Sequence, residues 1–66
     1  MDVTINGERR QVAPGTTVTE VVRSLTRAER GVAVALNDEV VPRAEWARTA
    51  VAADDRVDVL TAVQGG

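Results

Sequence analysis

The sequence predicts a small α+β domain, a mixed sheet of four to five strands with one main helix packed across one face. Three observations lead there. Two alternating segments meet at Asn6-Gly7, a stretch with apolar residues at helical spacing follows, and the second half returns to two-residue alternation broken by turn residues.

In "DVTING", Val3 and Ile5 fall on one face and Asp2 and Thr4 on the other. Asn6-Gly7 then offers two residues that accept positive φ, which the tight hairpin turns require. The return strand is "ERRQVA", stopped by Pro14-Gly15. Arg9 and Arg10 on it read as solvated edge charges that discourage sheet-to-sheet pairing.

The period changes in "TTVTEVVRSL", where Val18, Val21, Val22 and Leu25 form one helical stripe. Thr17 followed by Glu20 has the spacing of a capping box, so the helix start is marked independently of the stripe. Valine and threonine are weak helix formers, so packing must hold this helix. "TRAERG" ends it, with Gly31 suited to a turn.

Next, "VAVAL" puts Val32, Val34 and Leu36 on one face and Ala33 and Ala35 on the other. "NDE" turns the chain, and "VVP" gives a short strand that Pro42 cuts off. "RAEWARTAV" reads as a helical turn that carries Trp46 inward as core filler. After the turn "ADDR", the last strand "VDVLTAV" alternates Val57, Val59, Thr61 and Val63 with Asp58, Leu60 and Ala62. The helix is long enough to supply the crossover that a parallel strand pair requires.

Composition narrows the chemistry. With 66 residues and 44% hydrophobic content, the chain makes one domain near the lower size limit for folding without staples. It has no cysteine and no histidine, hence no disulfide, no soft-metal cluster and no serine–histidine or cysteine–histidine nucleophile pair. Its side chains are poor material for an enzyme. Asp38-Glu39 and Asp54-Asp55 sit beside turns and read as solvated charges rather than calcium ligands. Eight arginines against ten acids, with no lysine, give a net charge of −2 and argue against a nucleic-acid partner. The apolar runs are too short to span a bilayer and "MDVTING" is no signal peptide, so the expectation is a cytoplasmic protein that binds neither membrane nor metal.

"ING" at the first hairpin, "VALNDEVVPRAEW" in the middle and "DDRVDVLTAVQGG" at the end make the whole chain resemble the ubiquitin-like sulfur carrier proteins of thiamine biosynthesis, the ThiS family. The resemblance implies a β-grasp (ubiquitin-like) fold over residues 1–63, with residues 64–66 as a flexible C-terminal Gly-Gly tail. Two features depart from the family pattern. Members often have glycine in the turn before the last strand, where this chain has Asp54, and many carry bulkier residues in that strand than Val and Leu.

The resemblance also implies a cycle. An ATP-dependent adenylating enzyme related to ubiquitin activators would adenylate the Gly66 carboxylate. A persulfide donor charged by a cysteine desulfurase would convert it to a thiocarboxylate, and thiazole synthase would take the sulfur. The carrier is then a cosubstrate with no bound cofactor, ATP being used by the partner. Gly65 and Gln64 would thread a narrow partner channel, glycine presenting no Cβ to its walls. A chain without thiols can hold sulfur only on another group, which suits the terminal carboxyl. If Val34, Leu36, Val57 and Val59 face the helix, then Ala33, Ala35, Leu60 and Ala62 form a shallow apolar patch on the open sheet face, a docking surface with Leu60 as its anchor. Three other readings stay open: a carrier for another pathway such as molybdopterin synthesis, a protein modifier joined through Gly66, and a β-grasp binding module.

Overall fold

The computed structural model describes residues 1–28 and 30–62. Strands β1 (Asp2–Ile5) and β2 (Glu8–Gln11) form the opening hairpin, with Asn6 and Gly7 at φ 50° and 83°. Both turn residues adopt the left-handed conformation that the sequence pair favours. Helix α1 (Val18–Leu25) follows, then β3 (Val32–Leu36), β4 (Glu39–Val40), a 3-10 helix (Arg43–Arg48) and β5 (Arg56–Thr61). The short strand thus starts one residue before "VVP": Val41 has already left the ladder, and its N–H reaches back to the Val34 carbonyl at 2.9 Å.

The sheet order is β2-β1-β5-β3-β4. Only β1 and β5 run parallel, with Thr4 opposite Arg56 and Ile5 opposite Val57. The parallel partner of β1 is therefore the last strand, and the connection between them includes α1, β3, β4 and the 3-10 helix. α1 itself joins β2 to β3, strands that are not neighbours. This is the mixed sheet with a crossing helix expected of the β-grasp fold.

Helix α1 begins at the expected capping box: Thr17 N–H donates to the Glu20 carboxylate at 2.9 Å, and Glu20 N–H donates to the Thr17 hydroxyl at 3.3 Å. A further exposed end group is satisfied from outside, since Val18 N–H donates to the Thr49 carbonyl at 2.9 Å. The stripe then does what its spacing dictates. Val18, Val21 and Val22 are buried against Val3, Ile5, Val34, Val57 and Val59, and Trp46 and Val51 complete the core. Leu25 packs at the margin. Trp46 is only 6% exposed, and its indole N–H donates to the Val41 carbonyl at 2.9 Å.

Gly31 is needed for two reasons. Its φ is +70°, and an added Cβ would lie 2.9 Å from Ala62 Cβ, while its carbonyl accepts the Ala62 N–H at 2.7 Å. Gly31→Ala adds left-handed strain of about 1–2 kcal/mol to that overlap. The expected result is a Tm lowered by about 5–15 °C in calorimetry. An unchanged Tm would mean that the turn and Ala62 move apart freely. Among the described residues, no helix is long and apolar enough to cross a membrane.

Candidate functional site

Two asparagines fix β5, the strand that leads toward the C-terminus. Asn6 N–H donates to the Val57 carbonyl at 2.9 Å, and its side-chain oxygen accepts the Val59 N–H at 2.7 Å. Asn37 does the same work from the other side: its N–H reaches the Arg56 carbonyl at 2.8 Å and its Oδ1 accepts the Arg56 N–H at 2.9 Å. Both use left-handed turns, Asn37 and Asp38 having φ of 51° and 71°. Asparagine and aspartate tolerate that region better than other non-glycine residues. Asp54 meets the same demand at φ 67°.

Asp55 is more than a solvated turn charge. It is half-buried, accepts the Ala52 N–H at 2.7 Å and receives the Asn37 amide at 3.0 Å. The reading of Asp54-Asp55 as solvated charge is corrected on that point, because a carboxylate beside a turn closes the turn on its own backbone. Arg9 bridges elements as well, pairing with Asp2 at 3.1 Å and Asp54 at 3.4 Å. Its guanidinium holds the Asp2 carboxyl below the usual aspartate range, with desolvation opposing more weakly.

Cross-strand partners share a face, so the register defines the open side of the sheet. Leu60 lies opposite Ala33, Asp58 opposite Ala35, and Val40 opposite Ala35 on the other edge. Leu60 is 70% and Val40 77% exposed; Ala33 and Ala62 are exposed and Ala35 is half-buried. The structure thus brings Ala33, Ala35 and Leu60 onto one face, with Ala62 continuing the alternation of β5. Val40 joins them, a residue the sequence reading left without a face. The clue was available: once Asn37-Asp38 is a two-residue hairpin turn, the alternation of β3 carries across to Val40. Beside this apolar strip, Arg56 pairs with Asp38 and, at 3.3 Å, with Asp58. Val63, Gln64, Gly65 and Gly66 lie outside the described residues, so the tail and the end of the 1–63 domain do too.

The ThiS family model matches residues 3–66. The sulfur carrier protein ThiS of Escherichia coli (strain K12) is 33% identical over 66 residues, covering 100% of both chains. A thiazole synthase of Paramagnetospirillum magneticum is 35% identical over 66 residues, and there the chain spans only 20% of the relative's length. Among solved structures, the crystal structure of the thiamine biosynthesis protein ThiS from Geobacter metallireducens has a TM-score of 0.80 at 36% identity, with 100% of both chains covered. The solution structure of a thiamine biosynthesis protein from the same organism gives 0.81 at 36% identity, covering 100% of this chain and 88% of that one. With a β-grasp sheet, two asparagine anchors on β5 and a family match that runs through Gly66, this chain belongs to the ThiS family.

Proposed function

We propose that the chain is a sulfur carrier of thiamine biosynthesis and that the Gly66 carboxylate is the group that carries the sulfur. The observation behind this reading is the end-to-end likeness to a named sulfur carrier, 33% identity over all 66 residues, with the family match extending through Gly66.

The chemistry explains why such a carrier needs partners. A carboxylate is a poor electrophile, since its charge is delocalised and oxide is a bad leaving group. Attack of a carboxylate oxygen on the α-phosphorus of ATP, in an adenylating enzyme, forms an acyl adenylate and releases pyrophosphate. The outer sulfur of a protein persulfide then attacks the carbonyl and AMP leaves. A second thiol cleaves the S–S bond, forming a disulfide and releasing the thiocarboxylate. Its anionic sulfur is a nucleophile for the reason that thiolates are. Thiazole synthase is the proposed acceptor, and similarity to a thiazole synthase five times the length of the matched segment supports that choice. A cysteine desulfurase is the proposed source of the persulfide. The chain is a cosubstrate in this cycle, and Gly65 and Gln64 lead Gly66 into the active sites of its partners.

The strip of Leu60, Val40, Ala33 and Ala35, with Ala62 toward the tail, is the proposed docking face. An exposed apolar strip beside paired charges has the make-up of an interface core and rim. The test is the intact mass of the chain after incubation with ATP, an adenylating enzyme and a persulfide donor. The expected result is a gain equal to exchanging one oxygen for one sulfur, localised to Gly66 and absent when Gly65 and Gly66 are deleted. No gain from an enzyme shown to be active on its own carrier would overturn the reading. High-mass conjugates through Gly66 would favour the protein-modifier alternative instead.

A further inference from the structure

The arginines are segregated. Arg9, Arg10 and Arg56 all have carboxylate partners, with Asp2, Asp54, Glu8, Asp38 and Asp58 serving them on the sheet. The other five, Arg23, Arg27, Arg30, Arg43 and Arg48, make no ion pair among the described residues. They occur on α1, on the segment after it and on the 3-10 helix. Three of them, Arg23, Arg27 and Arg43, line one cleft of about 440 Å³ between the two helices. Its apolar lining includes Val22, Trp46 and Ala47, and the Arg43 guanidinium lies 5.5 Å from the centre of the Trp46 ring.

Structural roles account for part of this. Arg23 in the last turn of α1 complements the negative end of the helix dipole. That does not explain Arg43, which comes from a different element and covers the indole. Glu20 is held in the capping box at the far end of α1, and Glu45 pairs with none of these arginines among the described residues. Among the described residues, a chain of net charge −2 therefore gathers three arginines without an ion pair around one concave site.

We propose that this cleft is a second protein-docking site, taking a carboxylate-rich segment of a partner that presents one apolar side chain to the cleft floor. Arginine and tryptophan around an apolar floor are the residue types that dominate interface energetics. Guanidinium forks match carboxylates in pairs, and three cations with no ion-pair partner among the described residues gain from acidic residues arriving together. Three arginines from two elements around an apolar floor suit a side-chain-bearing segment better than a small anion. Because the cleft lies on the helix side of the sheet, its occupant leaves the open face and the tail accessible. The inference does not depend on the sulfur chemistry.

The single tryptophan makes the test direct, since the Trp46 indole N–H gives one resolved resonance at the cleft. The full-length labelled chain is titrated with a blocked peptide of glutamates around one central leucine. Parallel titrations use the same peptide with glutamine for glutamate, a single-stranded RNA oligomer and inorganic phosphate. The expected result is a saturable Trp46 shift with the glutamate peptide, at least about 10-fold weaker for the glutamine peptide and for an Arg23→Gln/Arg27→Gln chain, and weakened by salt. Among the described residues Arg23 and Arg27 make no ion pair, so that chain stays folded with at most a small loss of Tm from the helix end; Arg43→Gln is the second variant, reporting the guanidinium on the indole. No saturable shift, equal binding of the two peptides or undiminished binding by the Arg23→Gln/Arg27→Gln chain would overturn the proposal. Tighter binding of RNA or phosphate at the same resonance would overturn it in favour of a nucleic-acid or small-anion site.

Discussion

Trp46→Ala will remove about 3–5 kcal/mol of stability, the cost of truncating a buried aromatic side chain. At roughly 0.05–0.15 kcal/mol per residue, a domain of this length holds about 3–10 kcal/mol in total. The loss is therefore a large fraction of the total, and the urea midpoint should fall by about half. Among the described residues the core is otherwise small, eight valines and one isoleucine besides the indole. The 3-10 helix would also lose its anchor, since Trp46 is its buried residue and ties it to Val41 by the indole N–H. Trp46→Phe keeps most of the volume and gives up that hydrogen bond, so its loss should be about 1–2 kcal/mol. Urea unfolding followed by far-ultraviolet circular dichroism measures both. An alanine variant that loses less than about 1 kcal/mol would show that the 3-10 helix contributes little to the fold.

The elements legible in the sequence are those fixed by local rules. Asn6-Gly7 can close a two-residue turn almost regardless of context, and Thr17 with Glu20 marks a helix start by their own hydrogen bonds. Alternation in β3 and β5 settled which residues face α1, which is why Ala33, Ala35 and Leu60 were placeable from sequence. The pairing of β1 with β5 was not legible, because it rests on contacts between residues far apart in the chain. Asn6 illustrates the difference: its turn role follows from the next residue, whereas its bond to Val59 depends on tertiary register. Asp55 was misread for the same reason, its partner Asn37 lying across the fold. The arginine cleft was out of reach as well. Arg23 and Arg43 look like ordinary surface charges until α1 and the 3-10 helix are packed together.

Gly66→Ala is expected to slow adenylation by about 100-fold while leaving Tm unchanged. The proposed reaction occurs at the Gly66 carboxylate, and a methyl group on its Cα would displace the reacting carbon in the proposed partner channel. A misplacement near 1 Å costs on the order of 100-fold in rate, equal to about 2.7 kcal/mol of barrier. Stability should not change, because every described core residue lies at or before Val59. Leu60→Asp provides the contrast. It places a carboxylate on the open face without touching the tail, so it should raise KM about 10-fold and leave kcat near its original value. Pyrophosphate release by the adenylating enzyme measures both variants. A loss in kcat for Gly66→Ala and in KM for Leu60→Asp would separate the reacting end from the surface that delivers it. Wild-type turnover of Gly66→Ala would show that the partner's site tolerates a methyl group beside the reacting carbon, and an unchanged KM for Leu60→Asp would move docking away from the open sheet face.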